Sequence, residues 1–566
     1  MVKLILTASV FFCLSSAVLA QTVFDGGILN AASSTYPTLP GGSIAQGSMF
    51  VVYGSDLGTT DADLSHIQLP LPTTLPAGTG TSIKVTSGGT TVDAFMIYTT
   101  PGQVAAMLPS NTPTGAATLT LTYQGKSSSV SVNVVGSSFG AFTLNQAGSG
   151  PAIIQDFVTP IEQPVNTIVN PAYPGQTVTL WGTGLGPVSG AEAATPLPGD
   201  MKDALGVKVW VGNQPVTVNY AGRSGCCVGI DQVQFVVPQG IQGCYLPVVV
   251  QAGGVVSNFT SMAVSSSAGA TCSDADGIAS ADVNTLQSAG KVRLGIVDLI
   301  RISLKVNAGQ LGTINALSDT ASAIFGEYST TQLSDSLGLT QSPSVGGCFV
   351  SQFQGLNPIP VDPTTPSALD AGAALSISGA AGNKAIASTS TGFYAATLGG
   401  VPVIQLLTGT PTPAYFSPGS YTISGTGGSA AGSFSEQFTI PTDVTWTNPI
   451  ATDVDRTKDL TITWSNGDPN SFTVISGIGV AATGPLGPST TTPGRVFLCV
   501  APASAGTFTV PSVVLQTLPP TSTVSLVPTS FLLVGTQTSA EKFSATGLDD
   551  GYVMYRSLTG TNIKMP

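Results

Sequence analysis

The sequence predicts an all-β protein built from tandem β-sandwich domains, and three observations support this. Only 8% of the 566 residues are charged, whereas long solvated helices need many charged side chains on their outer faces. Glycine and proline are abundant, at 67 and 40 residues, and both favour turns over helix interiors. Short runs with apolar alternation, such as SMFVVYG and TLTLTY, recur between clusters of turn residues, which is typical of sandwiches and barrels.

The first 20 residues (1–20) have the parts of a secretory signal peptide. Lys3 precedes an apolar stretch, and Ala17-Val18-Leu19-Ala20 places small residues at a cleavage site before Gln21. No later stretch approaches the ~18 continuous apolar residues of a membrane-spanning helix. We therefore expect cleavage after Ala20, no transmembrane segment afterwards, and a secreted or cell-surface protein. The length leaves room for about four domains.

An internal repeat occupies the first half of the chain. GSMFVVYGSDLG (47–58) matches GQTVTLWGTGLG (175–186) at an offset of 128 residues. GQVAAMLP (102–109) matches DQVQFVVP (231–238) at an offset of 129 residues. Each copy reads as a strand ending in a glycine turn, a hairpin, a Gln-Val strand closed by proline, and a final strand pair. About seven strands in ~110 residues fit an immunoglobulin-like sandwich. We therefore predict two such domains, 21–136 and 137–268.

Several segments of the repeat resemble known families. The glycine turn, central hairpin and Gln-Val strand resemble the IPT/TIG class of immunoglobulin-like domains. More closely, GGILNAAS (26–33), VNPAYPGQTVTLWGTGLGPV, YAGRSGCCVGIDQVQFVVP and GCYLPVVVQAGGVVSN resemble a Solibacter-type family of uncharacterised secreted acidobacterial proteins. The resemblance covers roughly residues 22–265. It implies a pair of exported immunoglobulin-like domains, but it implies no activity and carries over no catalytic residue.

Two further domains follow from the change in pattern after residue 268. Residues 269–441 are predicted to form a mostly-β domain with a few short helices, because ASADVNTLQSAG and STTQLSDSLGL are compatible with helix, whereas KVRLGIVDLIRISLKV alternates like a long strand or hairpin. Residues 442–566 contain short strands such as DLTITWS and RVFLCVAP. They are predicted to form a C-terminal β-sandwich.

Six cysteines remain after the predicted signal peptide: Cys226, Cys227, Cys244, Cys272, Cys348 and Cys499. An even number in an exported protein indicates disulfides, although six cysteines allow 15 pairings. Locality favours one of the vicinal pair with Cys244, and Cys272 with Cys348, which leaves the other vicinal cysteine for Cys499. The vicinal loop, with Arg223 and Asp231 beside it, is the first candidate for unusual local structure. A stapled hairpin loop is favoured there over a ligand site.

Asp274, Asp276 and Asp282 are weak candidates for a calcium site. The segment DADG resembles part of an EF-hand loop, in which alternating acidic residues converge on one ion. The register fails, because the first and twelfth loop positions would be Cys272 and Val283. Capping of a helix N-terminus explains the same residues and is favoured. We therefore expect no cofactor, with calcium as the alternative.

Catalytic motifs are weak. The segment GSSFG places Ser138 in a G-x-S-x-G pattern, but no helix pattern follows it, and the single histidine, His66, precedes it. The pattern S-x-x-K occurs at Ser288/Lys291 and Ser539/Lys542 without its companion motifs. The few glutamates are scattered. We expect no catalytic activity, and an extracellular hydrolase with an unrecognised site is the second alternative.

These features favour a structural, adhesive or interaction role for a secreted or cell-surface rod of sandwiches. The formal net charge of −12 disfavours nucleic acid as a partner. We expect other envelope or extracellular proteins, or polysaccharide, as partners. The first alternative is a carbohydrate-binding protein, which requires exposed, coplanar aromatic rings. All four tryptophans lie in alternating strands, where core positions are favoured: Trp181, Trp210, Trp446 and Trp464.

Overall fold

A computed structural model describes residues 21–61, 67, 69–78, 80–307, 312–335, 342–353, 365–401, 412–450, 453–482, 492–522 and 529–566. The predicted signal peptide and His66 lie outside these residues. The all-β prediction is confirmed, since the described helices are short and strands dominate every domain. In the described part of the chain, no helix is long and apolar enough to cross a membrane.

The first repeat is a sandwich of two sheets. Its strands are β1 (Thr22–Asn30), β2 (Ile44–Ala45), β3 (Met49–Ser55), β4 (Thr74–Leu75), β5 (Thr81–Ser87), β6 (Thr90–Asp93), β7 (Phe95–Thr99), β8 (Gln103–Met107), β9 (Gly115–Tyr123) and β10 (Lys126–Val135). One sheet has the order β1-β3-β8-β7, and the other has the order β2-β10-β9-β5-β4 with β6 beside β5. Alternate side chains such as Phe50, Ile83 and Leu119 fill the space between the sheets.

The second repeat has the same plan. Its strands are β11 (Gly140–Ala141), β12 (Ile154–Asp156), β13 (Thr177–Thr183), β14 (Gly199–Asp200), β15 (Lys208–Val211), β16 (Gln214–Val216), β17 (Val218–Arg223), β18 (Asp231–Val236), β19 (Gly243–Ala252), β20 (Val255–Val256) and β21 (Thr260–Val264). The sheets are β11-β13-β18-β17-β14, with β12 on β13, and β16-β15-β19-β20, with β21 on β19. Trp181 lies opposite Gln232 here, just as Tyr53 lies opposite Gln103 in the first repeat. The sequence repeat is therefore also a repeat of strand register.

The two repeats differ in how their second sheets are covered. In β9 of the first repeat, buried and more exposed residues alternate. In β19 of the second repeat, nearly every residue is buried. The outer face of β19 is covered by the C-terminal part of the chain, because Val249, Val256 and Phe259 belong to a core formed mainly by residues 444–565. The expected rod is therefore wrong, since the C-terminal part packs against the side of the second repeat.

The C-terminal part contains these elements: α1 (Ser280–Ala289), β22 (Lys291–Asn307), β23 (Thr313–Ser329), α2 (Thr330–Asp335), β24 (Cys348–Phe353), β25 (Ser367–Ala368), β26 (Ala374–Gly379), β27 (Gly382–Ser390), β28 (Phe393–Gly400), β29 (Gly419–Gly425), β30 (Phe434–Ile440), β31 (Thr445–Trp446), β32 (Leu460–Ser465), β33 (Phe472–Val480), β34 (Gly494–Pro502), β35 (Thr507–Val510), α3 (Ser512–Leu515), β36 (Ser530–Gln537), β37 (Glu541–Phe543) and β38 (Asp550–Asn562). A 14-stranded sheet runs β24-β34-β33-β36-β38-β22-β23-β28-β27-β26-β29-β30, with β25 on β23 and β37 on β38. A small sheet has the order β31-β32-β35.

The large sheet crosses the domain boundary predicted at residue 441. β22 pairs in parallel with β38, and β24 pairs with β34, so strands from both predicted domains share hydrogen bonds. The side-chain cores nevertheless divide close to that residue, because one core draws mainly on residues 297–440 and the other mainly on residues 444–565. The predicted boundary at residue 441 therefore corresponds to the division between the two side-chain cores. The local sequence pattern does not show which strands pair when they lie far apart in the chain.

Three disulfides join Cys226 to Cys227, Cys244 to Cys272, and Cys348 to Cys499. The pairing expected from locality is therefore wrong. Cys348 and Cys499 lie opposite each other on β24 and β34, so sheet pairing brings them together across a separation of 151 residues. Sequence distance could not indicate this bridge, because it depends on which strands become neighbours.

Trypsin digestion without reduction tests the pairing. The predicted tryptic peptide 224–291 contains four of the six cysteines, while peptides 306–384 and 496–542 contain one each. We expect 306–384 to be linked to 496–542, and 224–291 to be linked to neither, by mass spectrometry. The locality pairing would instead link 224–291 to both other peptides, and that result would contradict the structure.

Candidate binding cleft between the repeats

The vicinal cysteine loop lies at the junction of the two repeats. It connects β17 to β18, and Ser224 closes it through hydrogen bonds between its Oγ and both the N and O of Cys227, at 3.2 and 3.1 Å. At Gly229, a Cβ would lie only 2.9 Å from Cγ of Met49 in the first repeat. A larger residue there would have to displace the Met49 and Met107 side chains of the first repeat. The disulfide closes the loop on itself instead of stapling it to Cys244.

A buried ion pair stands at the base of this loop. Arg223 and Asp231 face each other across β17 and β18, and their side chains are only 3% and 0% exposed, with Nη1 and Oδ1 2.9 Å apart. Burial raises the pKa of Asp231, and the Arg223 guanidinium offsets part of that effect. The pair also holds the glycine turn of the second repeat, because Arg223 Nη2 donates to Gly186 O at 3.0 Å and Leu185 N donates to Asp231 Oδ2 at 2.7 Å.

Ser110 of the first repeat connects this turn to a long loop of the second repeat. Its Oγ accepts a hydrogen bond from Val188 N at 3.0 Å and donates to Glu192 Oε2 at 2.6 Å. Its backbone N donates to Glu192 Oε1 at 2.8 Å. A second link runs from Leu71 N to Ala193 O at 2.8 Å. These bonds fix the loop of the second repeat against the first repeat.

The fixed loop forms one wall of a cleft of about 720 Å³. The lining residues come from both repeats: Pro70, Phe95, Pro109, Ser110, Asn111, Pro187, Val188, Ser189, Gly190, Ala191, Glu192, Ala193 and Ala194. Phe95 is the single aromatic residue among them, and Glu192 is the single charged one. Ligand sites are often clefts of roughly 300–1,000 Å³ at domain junctions, lined by apolar groups and a few polar ones. The cleft has these properties.

Asn30 is a junction residue that the sequence analysis missed. It is buried at the end of β1, and its Nδ2 donates to Ser138 O at 3.1 Å and Thr183 O at 3.4 Å. Its Oδ1 accepts from Ala32 N and Ser33 N. An asparagine in an otherwise apolar segment, GGILNAAS, was the available signal, since a polar residue that is buried needs such partners.

The candidate nucleophiles have structural roles. Ser138 is buried between β10 and β11, and its Oγ donates to Gly41 O at 3.0 Å. The lysines of the S-x-x-K patterns form ion pairs, Lys291 with Glu327 at 2.8 Å and Lys542 with Asp550 at 2.7 Å. The partner serines, Ser288 and Ser539, donate to backbone carbonyls. The cleft between the repeats contains none of these groups.

The four tryptophans do not form an exposed aromatic platform. Trp464 is buried and donates to Ala503 O at 2.7 Å. Trp181 is half-buried and donates to Gln155 Oε1 at 2.9 Å. Trp210 and Trp446 are also half-buried, and both pack against the core formed mainly by residues 444–565. The aromatic signal for carbohydrate binding is therefore absent from these four positions.

Two of the calcium candidates, the half-buried Asp274 and the buried Asp276, are hydrogen-bonded within the protein. Asp274 accepts a bond from the Ser344 hydroxyl and one from Cys244 N at 3.1 Å. Asp276 accepts one from Gln537 Nε2 at 3.1 Å. The described residues contain no group of three or more His, Cys, Asp or Glu side chains that could hold a metal ion.

Asp282, the third candidate, lies in the first turn of α1. Its carboxylate accepts a hydrogen bond from Ala279 N at 3.3 Å, as in a capping box, and another from the Tyr552 hydroxyl. It thus connects the start of the helix to β38. This is the capping arrangement that the sequence favoured.

No protein-family model and no curated protein matches the chain. Similar solved structures include the extracellular region of plexin A4, at 14% identity over 44% of this chain and 19% of that chain, with a TM-score of 0.15. Domains 5–6 of the S-layer protein SbsC match at 14% identity over 44% of this chain and 99% of that chain, with a TM-score of 0.17. SGBP-B from a complex xyloglucan utilization locus in Bacteroides uniformis matches at 10% identity over 69% and 89%, with a TM-score of 0.15.

Likenesses with such low TM-scores carry no argument about function. The chain also spans only 19% of the plexin A4 region. The immunoglobulin-like assignment therefore rests on the strand order and register described above. The resemblance to the Solibacter-type family stays a prediction.

The buried carboxylates make stability depend on pH. Burial raises the pKa of Asp274 to about 6, that of Asp276 to about 7 and that of Asp282 to about 6, from 3.8. The folded state therefore holds protons that the unfolded chain has lost, so the free energy of unfolding falls as pH rises through 6 to 7. We expect a higher Tm at pH 5 than at pH 8. Asp276→Asn should weaken this dependence and stabilise the protein at pH 8 by about 2 kcal/mol.

The matched control for this measurement is the exposed Asp203, whose side chain is 91% accessible. Asp203→Asn should leave the pH profile of Tm unchanged. An unchanged profile in Asp276→Asn as well would contradict the assignment of the dependence to the buried carboxylates.

The ion pair at the junction yields a second stability prediction. Asp231→Asn should destabilise the protein by about 3–5 kcal/mol in chemical denaturation, because it leaves Arg223 buried without its counter-charge. The control is Asp93→Asn, which removes the partner of Lys84 in an exposed cross-strand pair of the first repeat. That change should cost about 0–1 kcal/mol. Equal effects of the two substitutions would show that the junction pair is unimportant.

Proposed function

We propose that this protein is an exported, non-enzymatic interaction protein that binds another envelope or extracellular protein in the cleft between its two repeats. The observation that carries the proposal is the cleft itself, which has walls from both repeats. The Ser110–Glu192 and Leu71–Ala193 hydrogen bonds fix those walls. A site whose walls are already fixed loses little conformational entropy when a partner binds.

The lining favours a protein partner over a polysaccharide. Phe95 is its single aromatic residue, and three prolines, three alanines and Val188 make up much of the remaining surface. Ile67 and Leu69, beside Pro70 in the chain, are exposed apolar side chains. Such a surface suits the apolar side chains and backbone of a polypeptide segment. Stacking of sugar rings would require exposed aromatic platforms.

The proposed location fits the three disulfides and the predicted signal peptide. Disulfides persist in oxidising compartments outside the cytosol, and all six described cysteines are paired. The low charge is also compatible with this location, because the exposed positions of strands such as β10 are occupied largely by serine.

A blocking substitution tests the cleft. Ala194 is exposed and lines the cleft, so Ala194→Trp should obstruct part of it without removing a backbone hydrogen bond. We expect at least a tenfold loss of protein cross-linked from cell-envelope fractions, measured by quantitative mass spectrometry. The matched control is Ala116→Trp on the exposed side of β9, which should bind like the wild type.

A capture assay with purified cell-wall polysaccharide distinguishes a protein partner from a carbohydrate ligand. We expect no retention of polysaccharide by the wild type. Retention that Ala194→Trp abolishes would replace the protein partner with a carbohydrate ligand. Identical capture by the wild type and Ala194→Trp would contradict binding in the cleft.

A further inference from the structure

The Cys226–Cys227 disulfide differs from the other two in what it encloses. Its cysteines are neighbours in the chain, whereas the other two bridges span 28 and 151 residues. A disulfide stabilises a fold largely by closing a loop of the unfolded chain, and the effect grows with the length of that loop. A bridge between adjacent residues closes almost no loop. Stabilisation of the fold therefore does not explain why these two cysteines are paired.

The same disulfide is also the accessible one. Cys226 is exposed and Cys227 is half-buried. The cysteines of the other two bridges are at most 3% exposed and belong to apolar cores: Cys244, Cys272, Cys348 and Cys499. Thiol–disulfide exchange requires an attacking thiolate to reach a disulfide sulfur, and exposed disulfides are the labile ones. A thiol in solution therefore has access to Cys226 in the folded protein, whereas the other two bridges are shielded from it.

The loop that carries the two cysteines is fixed by contacts other than the disulfide. On one side of them, Ser224 is buried, and its backbone N donates to Ile230 O at 2.9 Å. On the other side, the carbonyl of Gly229 accepts a hydrogen bond from Thr183 Oγ1 at 2.7 Å, and Thr183 Oγ1 itself accepts one from Met49 N at 2.9 Å. Because none of these bonds involves a sulfur atom, both ends of the loop stay in place when the disulfide opens.

We propose that Cys226–Cys227 is a thiol–disulfide exchange site, at which an external thiol reduces this disulfide while the other two stay closed. The thiolate attacks Sγ of the exposed Cys226 and forms a mixed disulfide with it, the bond between the two cysteines breaks, and Cys227 leaves as a thiolate that takes up a proton from water. A second thiolate then attacks the sulfur of the bound thiol and releases Cys226. Two thiols are thereby oxidised to one disulfide, and the cysteine pair gains two electrons and two protons.

The geometry of the loop also permits the reverse reaction. Ser224 Oγ is bonded to both N and O of Cys227 and lies 3.6 Å from Cys226 Sγ. The two thiols of the reduced pair are thus held close together, which gives each a high effective concentration at the other. A small disulfide compound in solution can therefore close the pair again. Neither cysteine lines the cleft between the repeats, so the exchange is a function separate from the proposed partner binding.

Differential alkylation of the folded wild type tests this inference. The protein is incubated with excess reduced glutathione or, separately, with reduced thioredoxin. Free thiols are blocked with heavy iodoacetamide, and the remaining disulfides are then reduced and blocked with the light reagent. In peptide 224–291, the heavy label should appear on Cys226 and Cys227, while the cysteines of the two buried bridges, which are the internal controls, should carry the light label. We expect the vicinal disulfide to open at least about tenfold faster than either buried bridge.

A double variant, Cys226→Ser with Cys227→Ser, removes the site. It should keep the Tm of the wild type and both buried disulfides, because the loop is held by other contacts, yet it should oxidise no glutathione. The wild type should produce one molecule of glutathione disulfide per protein molecule, and added glutathione disulfide should close the pair again. Ala194→Trp, which alters only the cleft, is the matched control and should exchange like the wild type. Opening by glutathione indicates a small thiol as the reductant, and opening by thioredoxin alone indicates a protein thiol.

Three results would overturn the inference: equal rates of opening for all three disulfides, opening of the vicinal disulfide only when the protein unfolds, or undiminished oxidation of glutathione by the double variant. Absence of exchange with intact capture through the cleft would contradict this inference alone. Identical capture by the wild type and Ala194→Trp with intact exchange would contradict the proposed function alone.

Discussion

The arrangement of this protein depends on the burial of the outer face of β19. A strand of an ordinary immunoglobulin-like sandwich covers one core and leaves its other face to water. Here that other face meets Phe349 and other apolar groups of the C-terminal part through Val249, Val256 and Phe259. Each such side chain contributes roughly 1.5–3 kcal/mol when fully buried, so the contact is a core in its own right. The Cys244–Cys272 disulfide, which begins within β19, ties the same junction covalently.

Polar groups then define how the parts meet. Burial of apolar surface has little directional preference, whereas buried hydrogen bonds and ion pairs require particular geometry. Asn30 bonds the first repeat to Thr183 O of the second, and the Arg223–Asp231 pair holds the glycine turn of the second repeat. Gln352 Nε2 and Arg495 Nη2, from the C-terminal sheet, reach Ser34 O at 2.7 Å and Thr35 Oγ1 at 3.2 Å in the first repeat. All three parts of the chain therefore meet around the same short segment after β1.

Much of the fold could be predicted, because it is written in local patterns. Period-two alternation identified strands such as β5 and β9, and the 128-residue offset identified the repeated register. The long strand or hairpin predicted from KVRLGIVDLIRISLKV corresponds to β22 and its pairing with β23. The cleft could not be predicted, because Ser110 and Glu192 are 82 residues apart and their contact depends on how the two sandwiches dock. One signal was available: the continuous apolar run YLPVVV in β19, where the first repeat has the alternating TLTLTY, indicates burial on both faces.

The sequence by itself determined the strand class, the pair of immunoglobulin-like repeats and the presence of paired cysteines, because these depend on composition and on spacing between near neighbours. Only the tertiary structure decided the disulfide partners, the sheet shared across residue 441, the lateral packing of the C-terminal part and the walls of the cleft. Each of these is a contact between segments far apart in the chain. Such contacts are selected by the shape and polarity of whole surfaces, which exist only after the individual sandwiches have formed.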